Sequence, residues 1–210
     1  MSLLVIDSSS EHGVVALMHS SYKKIIELPA GTKHNEELLL AVENILQDAK
    51  ININQVKNLA VITGPGSFTG IRVGIATIKA FAMVGNQNVL GATVFDVFKD
   101  HIKNGVMLIK CTNTSYYYAK FKNSLVVEAN VINLNAMQSL LKGKVFITSN
   151  EQNEELLAYK NIETINNYAE IVVAYFEKQV LQGAAGNSLE PYYLALSQAE
   201  KQLAAKEELQ

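Results

Sequence analysis

The chain has 210 residues, 49% of them hydrophobic and 18% charged, the balance of a globular protein that buries a core. Eighteen basic residues against twenty acidic ones give a formal charge of −2, which argues against a free-standing nucleic-acid binder and assigns any RNA contact to a partner that supplies positive charge. A single cysteine, Cys111, permits no internal disulfide and no CxxC ligand pair, so a reducing, cytoplasmic setting is expected.

The opening MSLLVIDSSS lacks a basic leader region, and its short apolar run stops at Asp7. It reads as a first strand, not a signal peptide. No apolar run approaches the roughly 18 residues of a membrane span. Two further strands follow from Val14 and from Tyr22. From Asn35 the period changes. Leu38, Leu39, Val42, Ile45, Leu46 and Ala49 recur at helical spacing, and Glu36 and Glu37 fall in the first turn, where the helix dipole favours negative charge. Leu40 and Ala41 widen the apolar stripe beyond one face, and such an excess points to a partner surface. Leu59 to Thr63 is a short β-branched strand. A glycine-rich loop leads into a helix reaching about Gly85, with Ser67 placed to cap it. Asn88 to Gly91 gives a fifth strand and VFDVFKDHI a third helix.

The first hundred residues thus read βββαβαβα. That order is the half-unit of the actin-like ATPase (ASKHA) fold, an α/β architecture of two lobes. The remainder repeats the theme in shortened form, with strands from Val106, Tyr116, Leu125 and Val145, a helical piece at residues 136–141 and a helix over Tyr168 to Leu181. The expected division is residues 1–99 for the first lobe and 100–210 for a smaller, divergent second lobe. The closing EKQLAAKEELQ is rich in helix formers and reads as a terminal helix or a tail.

The stretch GPGSFTGIRVG, Gly64 to Gly74, is the most distinctive in the chain. It lacks the GxxxxGK[ST] of a P-loop, and its glycines miss the GxGxxG spacing. Two readings remain. The loop opens a helix, so its backbone N–H groups can receive an anion, with Asp7, Ser8, Ser9, Gly64, Gly66, Ser67 and Thr69 as the candidate nucleotide or anion loop. Alternatively, Gly66, Gly70 and Gly74 recur every four residues with Thr77 nearby, a strip that admits a close-packed backbone. Glycine inside a helix costs about 1 kcal/mol relative to alanine, so the strip needs a reason. That neighbour is either the chain's own interior or a partner helix.

GPGSFTGIRVGIATIKAFA, preceded by LAVIT, resembles the signature of the bacterial TsaB family, also called YeaZ. LLVIDSSS, KHNEELLLAVENIL and PYYLA resemble further elements of that family, although Ala195 stands where its arginine is usual. The likeness is strong to about residue 98 and weak beyond. It implies an actin-like fold and a role in making threonylcarbamoyladenosine beside the tRNA anticodon. The implied role is that of a non-catalytic partner of a TsaD-like synthase, with a TsaE-like ATPase completing the system and tRNA met through the complex. It further implies pairing through the first two helices, here Leu38, Leu39, Val42, Ile45, Leu46, Gly70, Val73, Gly74 and Thr77. A homodimer through the same helices is expected when no partner is present. No cofactor of its own is implied, though a nucleotide, ATP or ADP, has a place at the complex interface.

The catalytic relative carries an HxxxH metal motif after its fifth strand. Val94 and Phe98 occupy those positions here, and neither is a ligand. Among His12, His19, His34 and His101 no pair has helical ligand spacing. Where many members carry a charged segment near Asp-Ala-Arg, this chain has Lys110 to Thr114. An actin-fold phosphotransferase or ATPase acting on a small substrate is the alternative, with Asp7 facing the nucleotide. It needs a second phosphate loop at Cys111 to Thr114, which offers hydroxyls but no acid and no glycine. Cys111 as a nucleophile lacks a base placed by sequence. The Tyr116–Tyr118 run reads as a half-buried strand or as base-stacking rings. A metal peptidase is the weakest reading, because the histidine pair is missing.

Overall fold

The computed structural model describes residues 1–10, 13–29, 34–148 and 154–195. Among these, ten strands form two five-stranded sheets. The first contains β1 (Ser2–Asp7), β2 (Val14–His19), β3 (Tyr22–Glu27), β4 (Asn58–Ile62) and β5 (Asn88–Ala92) in the order β3-β2-β1-β4-β5. The second contains β6 (Asn104–Thr112), β7 (Ser115–Lys122), β8 (Leu125–Asn133), β9 (Val145–Thr148) and β10 (Ile162–Ile165) in the order β8-β7-β6-β9-β10. In each sheet the first three strands are antiparallel and the last two parallel. The second half is therefore a topological copy of the first, which element order alone had suggested.

The helices differ between the copies. In the first, α1 (His34–Asp48) and α2 (Phe68–Ala82) are 15 residues each. Their counterparts are a six-residue 3-10 turn, Leu134–Ser139, and the one-turn helix α4 (Glu154–Leu157). The third expected helix is also short: α3 (Val94–Val97) passes into a 3-10 turn, Phe98–Asp100, across the expected lobe boundary. Periodicity over so few residues does not separate an α-turn from a 3-10 turn, and β10 and α4 left no pattern long enough to read. The expected terminal helix lies outside the described residues.

Alternation along β1 explains both cores. Leu4 and Ile6 face α1 and α2, packing with Leu38, Ile45, Ile71, Ile75 and Ile78. Leu3 and Val5 face the other way, into a core shared with Phe95, Phe98, Val172 and Phe176, and with Met107, Tyr117, Ala119 and Phe146 of the second sheet. A strand buried on both faces needs an apolar run, and Leu3–Ile6 supplies it, with the buried Ser2 and Asp7 at its ends. Helix α5 (Tyr168–Leu181) follows the last strand of the second sheet yet packs on β1, β3 and α3. The second sheet carries a separate cluster, Leu108, Tyr116, Tyr118, Met137 and Ile147, on its far face.

Leu38 and Leu39 are neighbours with opposite fates: the first is fully buried and the second is 51% exposed. Leu38→Ala is expected to destabilise the chain by about 2–5 kcal/mol, and Leu39→Ala by under about 0.5 kcal/mol. Urea denaturation of the two variants checks this.

Candidate functional site

The glycine strip meets a backbone of its own chain. A Cβ at Gly66 would collide with the Ser9 carbonyl oxygen, and one at Gly70 with that of Ser8. A Cβ at Gly74 would lie 2.6 Å from Ser8 Oγ and 3.3 Å from Val61. The turn after β1 is thus pressed onto the start of α2. Hydrogen bonds lock the contact: Ser8 Oγ donates to the Gly70 carbonyl at 2.8 Å, and the Ser67 N–H donates to the Ser9 carbonyl at 2.7 Å. Ser67 caps α2 as expected, its Oγ accepting from the Gly70 N–H at 3.3 Å.

The same turn engages Asp7. Its Oδ1 accepts from the Ser9 N–H at 2.8 Å and from Ser9 Oγ at 2.7 Å, closing an Asx turn. Its Oδ2 accepts from the Tyr168 hydroxyl at 2.6 Å. Tyr168 is buried, and that burial together with the adjacent Asp7 carboxylate holds its phenol well above the ordinary range, so it stays a donor. From the second sheet, the Tyr117 hydroxyl donates to the Gly66 carbonyl at 3.1 Å. Burial, and then its neighbour Cys111, also raise the Tyr117 phenol. Among the described residues, the cleft between Ser9, Pro65, Val94, Ile109, Thr148 and Tyr168 encloses about 20 Å³. That is room for about one water, against roughly 300–1,000 Å³ for a small-molecule site.

The candidate nucleotide loop is therefore assembled, and most of it is turned inward. Asp7, Ser8, Ser9, Gly64 and Gly66 are buried, while Ser67 and Thr69 lie at the mouth of the loop, partly or wholly exposed. The expectation that Asp7 faces a ligand is corrected, because Ser9 and Tyr168 already occupy both of its carboxylate oxygens. Nothing in the sequence singled out Tyr117 or Tyr168 for this task, since each comes from an element remote in the chain. The base-stacking reading is corrected too: Tyr116, Tyr117 and Tyr118 are all buried, the middle one facing the opposite core from its neighbours.

The expected partner face divides. Leu38, Val42, Ile45, Gly70, Gly74 and Thr77 are buried within the chain. They pack its own sheet and turn, which corrects the assignment of Leu38, Ile45, Gly70, Gly74 and Thr77 as residues offered to a partner; Val42 keeps one edge at the surface. Leu39, Leu46 and Val73 keep exposed surface. Beside them a groove of about 560 Å³ runs between α1 and the end of α2. Leu39, Leu46, Phe81 and Val84 form apolar walls, Val42 shows an edge, and Gln47, Asn52 and Asn54 make a polar rim. Leu40, Met83 and Val84 add exposed apolar area at 55%, 88% and 62%. Phe81, Met83 and Val84 were missed because a helix end beyond the glycine strip reads as a simple continuation. No helix among the described residues is long and apolar enough to cross a membrane.

Comparison with known proteins gives a consistent set of relatives. The family described as "TsaD: tRNA N6-adenosine threonylcarbamoyltransferase" matches residues 17–98. The chain is 29% identical over 128 residues to the tRNA threonylcarbamoyladenosine biosynthesis protein TsaB of Haemophilus influenzae, a match covering 57% of this chain and 53% of that one. It is 22% identical over 152 residues to the protein of the same name from Buchnera aphidicola, covering 67% and 69%. The aligned stretch thus spans about half of the first relative. Among solved structures, YeaZ from Pseudomonas aeruginosa superposes with a TM-score of 0.68 at 17% identity, covering 92% of this chain and 99% of that one. The fold is shared over nearly the whole length.

The Gly70 contact leaves no space for a side chain, whereas a Cβ at Gly143 meets nothing within 4 Å. Gly70→Ala is expected to cost at least about 3 kcal/mol or to prevent folding, and Gly143→Ala under about 0.5 kcal/mol. Tyr168→Phe leaves the Asp7 carboxylate short of one donor and is expected to cost about 1–3 kcal/mol in chemical denaturation.

Proposed function

We propose that this chain is a member of the TsaB (YeaZ) family and serves threonylcarbamoyladenosine biosynthesis as a non-catalytic subunit that docks a TsaD-type synthase. One observation carries the reading: the cleft between the sheets is filled by the chain's own turn, while the α1–α2 face leaves an apolar groove open. An enzyme needs reactive groups aimed into a space that admits substrate. Here the buried carboxylate of Asp7 is spent on internal hydrogen bonds, and the space lies elsewhere, on an apolar face rimmed by amides and Glu43. Apolar walls with a polar rim suit the helix of a partner, with buried anchors supplying the affinity.

In this reading the partner meets Leu39, Leu46, Phe81 and Val84, with Leu40 and Met83 extending the contact. Gly70, Gly74 and Thr77 contribute by letting α2 sit tightly on its own sheet. A TsaE-like ATPase and tRNA join through the assembled complex, and any nucleotide of that complex lies between subunits. A homodimer through the same groove competes with the partner at high concentration. The alternative, an actin-fold phosphotransferase, predicts ATP turnover by the isolated chain that is lost in Asp7→Ala. The sealed Asp7 weighs against it.

An omission assay tests the role. The organism's TsaD-like protein, TsaE-like ATPase, threonylcarbamoyl-adenylate source and tRNA are combined with and without this chain, and the modified nucleoside is quantified. Omission is expected to abolish the product, and the chain alone to make none. Undiminished product without it would overturn the reading. Leu39→Asp is expected to weaken docking to the TsaD-like protein at least tenfold, about 1.4 kcal/mol, with an unchanged melting temperature. Wild-type affinity in that variant would remove the groove as the docking face.

A further inference from the structure

The chain after α5 returns to the first sheet. Gly183 turns it with a φ of +72°, and residues 184–195 then run along the outer edge of β5 to the first turn of α2. The Asn187 N–H donates to the Val89 carbonyl at 3.0 Å. The Asn187 side chain takes both main-chain groups of Gly91: its Oδ1 accepts from the N–H at 2.7 Å, and its Nδ2 donates to the carbonyl at 2.9 Å. Those are the two bonds that a neighbouring strand gives an edge strand, so one amide side chain stands in for a sixth strand. Further on, the Tyr192 N–H donates to the Thr63 carbonyl at 2.8 Å. The Tyr193 ring then stacks on Phe68 with centroids 4.5 Å apart, and its hydroxyl accepts from Arg72 Nε at 2.8 Å.

Within residues 184–195 only Leu189 is fully buried, while Ala184, Tyr192, Leu194 and Ala195 lie partly buried against the core and most of the other residues are exposed. The Asn88 Nδ2 also donates to the Ala184 carbonyl at 3.0 Å. A segment with one fully buried side chain opens at a smaller free energy than the doubly covered sheet beneath it. We propose that residues 184–195 are a latch that opens as a unit while both sheets stay folded, and that its closure, through Tyr193 on Phe68 and Arg72, fixes the first turn of α2. The latch does not depend on the partner reading. It does bear on any ligand of α2: an occupant that prefers the fixed first turn also strengthens latch closure, because linked equilibria are reciprocal.

Native-state hydrogen exchange on the full chain tests both parts. The Gly91, Asn187 and Tyr192 amides are expected to exchange together, at least about tenfold faster than the Leu4 and Ile6 amides of β1, and with much weaker urea dependence. Tyr193→Ala is expected to speed exchange at Gly70 and Ile71 as well as at Asn187 and Tyr192, with Tyr193→Phe, which keeps the stack, restoring most of the protection. Latch amides that share the rate and urea dependence of β1 would overturn the opening unit. Unchanged exchange at Gly70 and Ile71 in Tyr193→Ala would overturn the hold on α2. Should Tyr193→Ala fail to fold, Phe68→Ala removes the other ring of the stack and gives the same readout.

Discussion

The close approach of the Ser8–Ser9 turn to the start of α2 sets most of the rest. Gly66 and Gly70 lie against the carbonyls of Ser9 and Ser8 with no room for a methyl group, and Gly74 lies against the Ser8 hydroxyl. Helix α2 therefore sits nearer to β1 than any side chain would allow, and the Ser8–Ser9 turn fills the place where a strand-to-helix loop could receive an anion. Two helical glycines cost about 1 kcal/mol each in backbone freedom. Two inter-element hydrogen bonds and a tightly packed Ile71, Ile75 and Ile78 offset that cost. The loop keeps the strand–turn–helix form of a phosphate site and puts its polar groups to a structural use.

The second sheet completes this seal. It repeats the strand order of the first but has lost the long helices that would give it an independent covered face. What it supplies is Tyr117, aimed at the Gly66 carbonyl, while α5 supplies Tyr168 to Asp7. Both hydroxyls give a donor to a buried acceptor, and losing one such bond costs about 1–3 kcal/mol. The shared core between the sheets, from Leu3 and Val5 to Met107 and Phe146, makes the closure a property of the whole chain rather than of one loop.

The exposed apolar surface lies on the outside of α1 and α2. A helix of 15 residues with six leucine, isoleucine or valine side chains cannot bury all of them against one sheet. Leu38, Val42 and Ile45 go inward; Leu39 and Leu40 stay out, and Leu39 borders a groove with Phe81 and Val84. The latch from α5 reaches α2 at its opposite end, so the element that borders the groove is held by the sheet, by the Ser8–Ser9 turn and by Tyr193.

The sequence by itself determined the order of the longer elements in the first half, because each is long enough to show its period: the strand before Asp7, the helix from Asn35, the capped helix after Ser67. It also determined that the glycines must admit a close neighbour, since their spacing and cost leave little else. The tertiary structure decided which neighbour. A four-residue repeat is the same whether the approaching backbone belongs to a partner or to the turn sixty residues earlier, and only the β1–β4 pairing brings Ser8 there. It likewise decided which leucines of α1 are buried, because the rotation of a helix about its axis is fixed by the sheet it meets. The roles of Tyr117, Tyr168 and Asn187 were decided at the same level, as each acts through one hydrogen bond or one bidentate pair to a segment far away in the chain, and such pairs leave no local pattern.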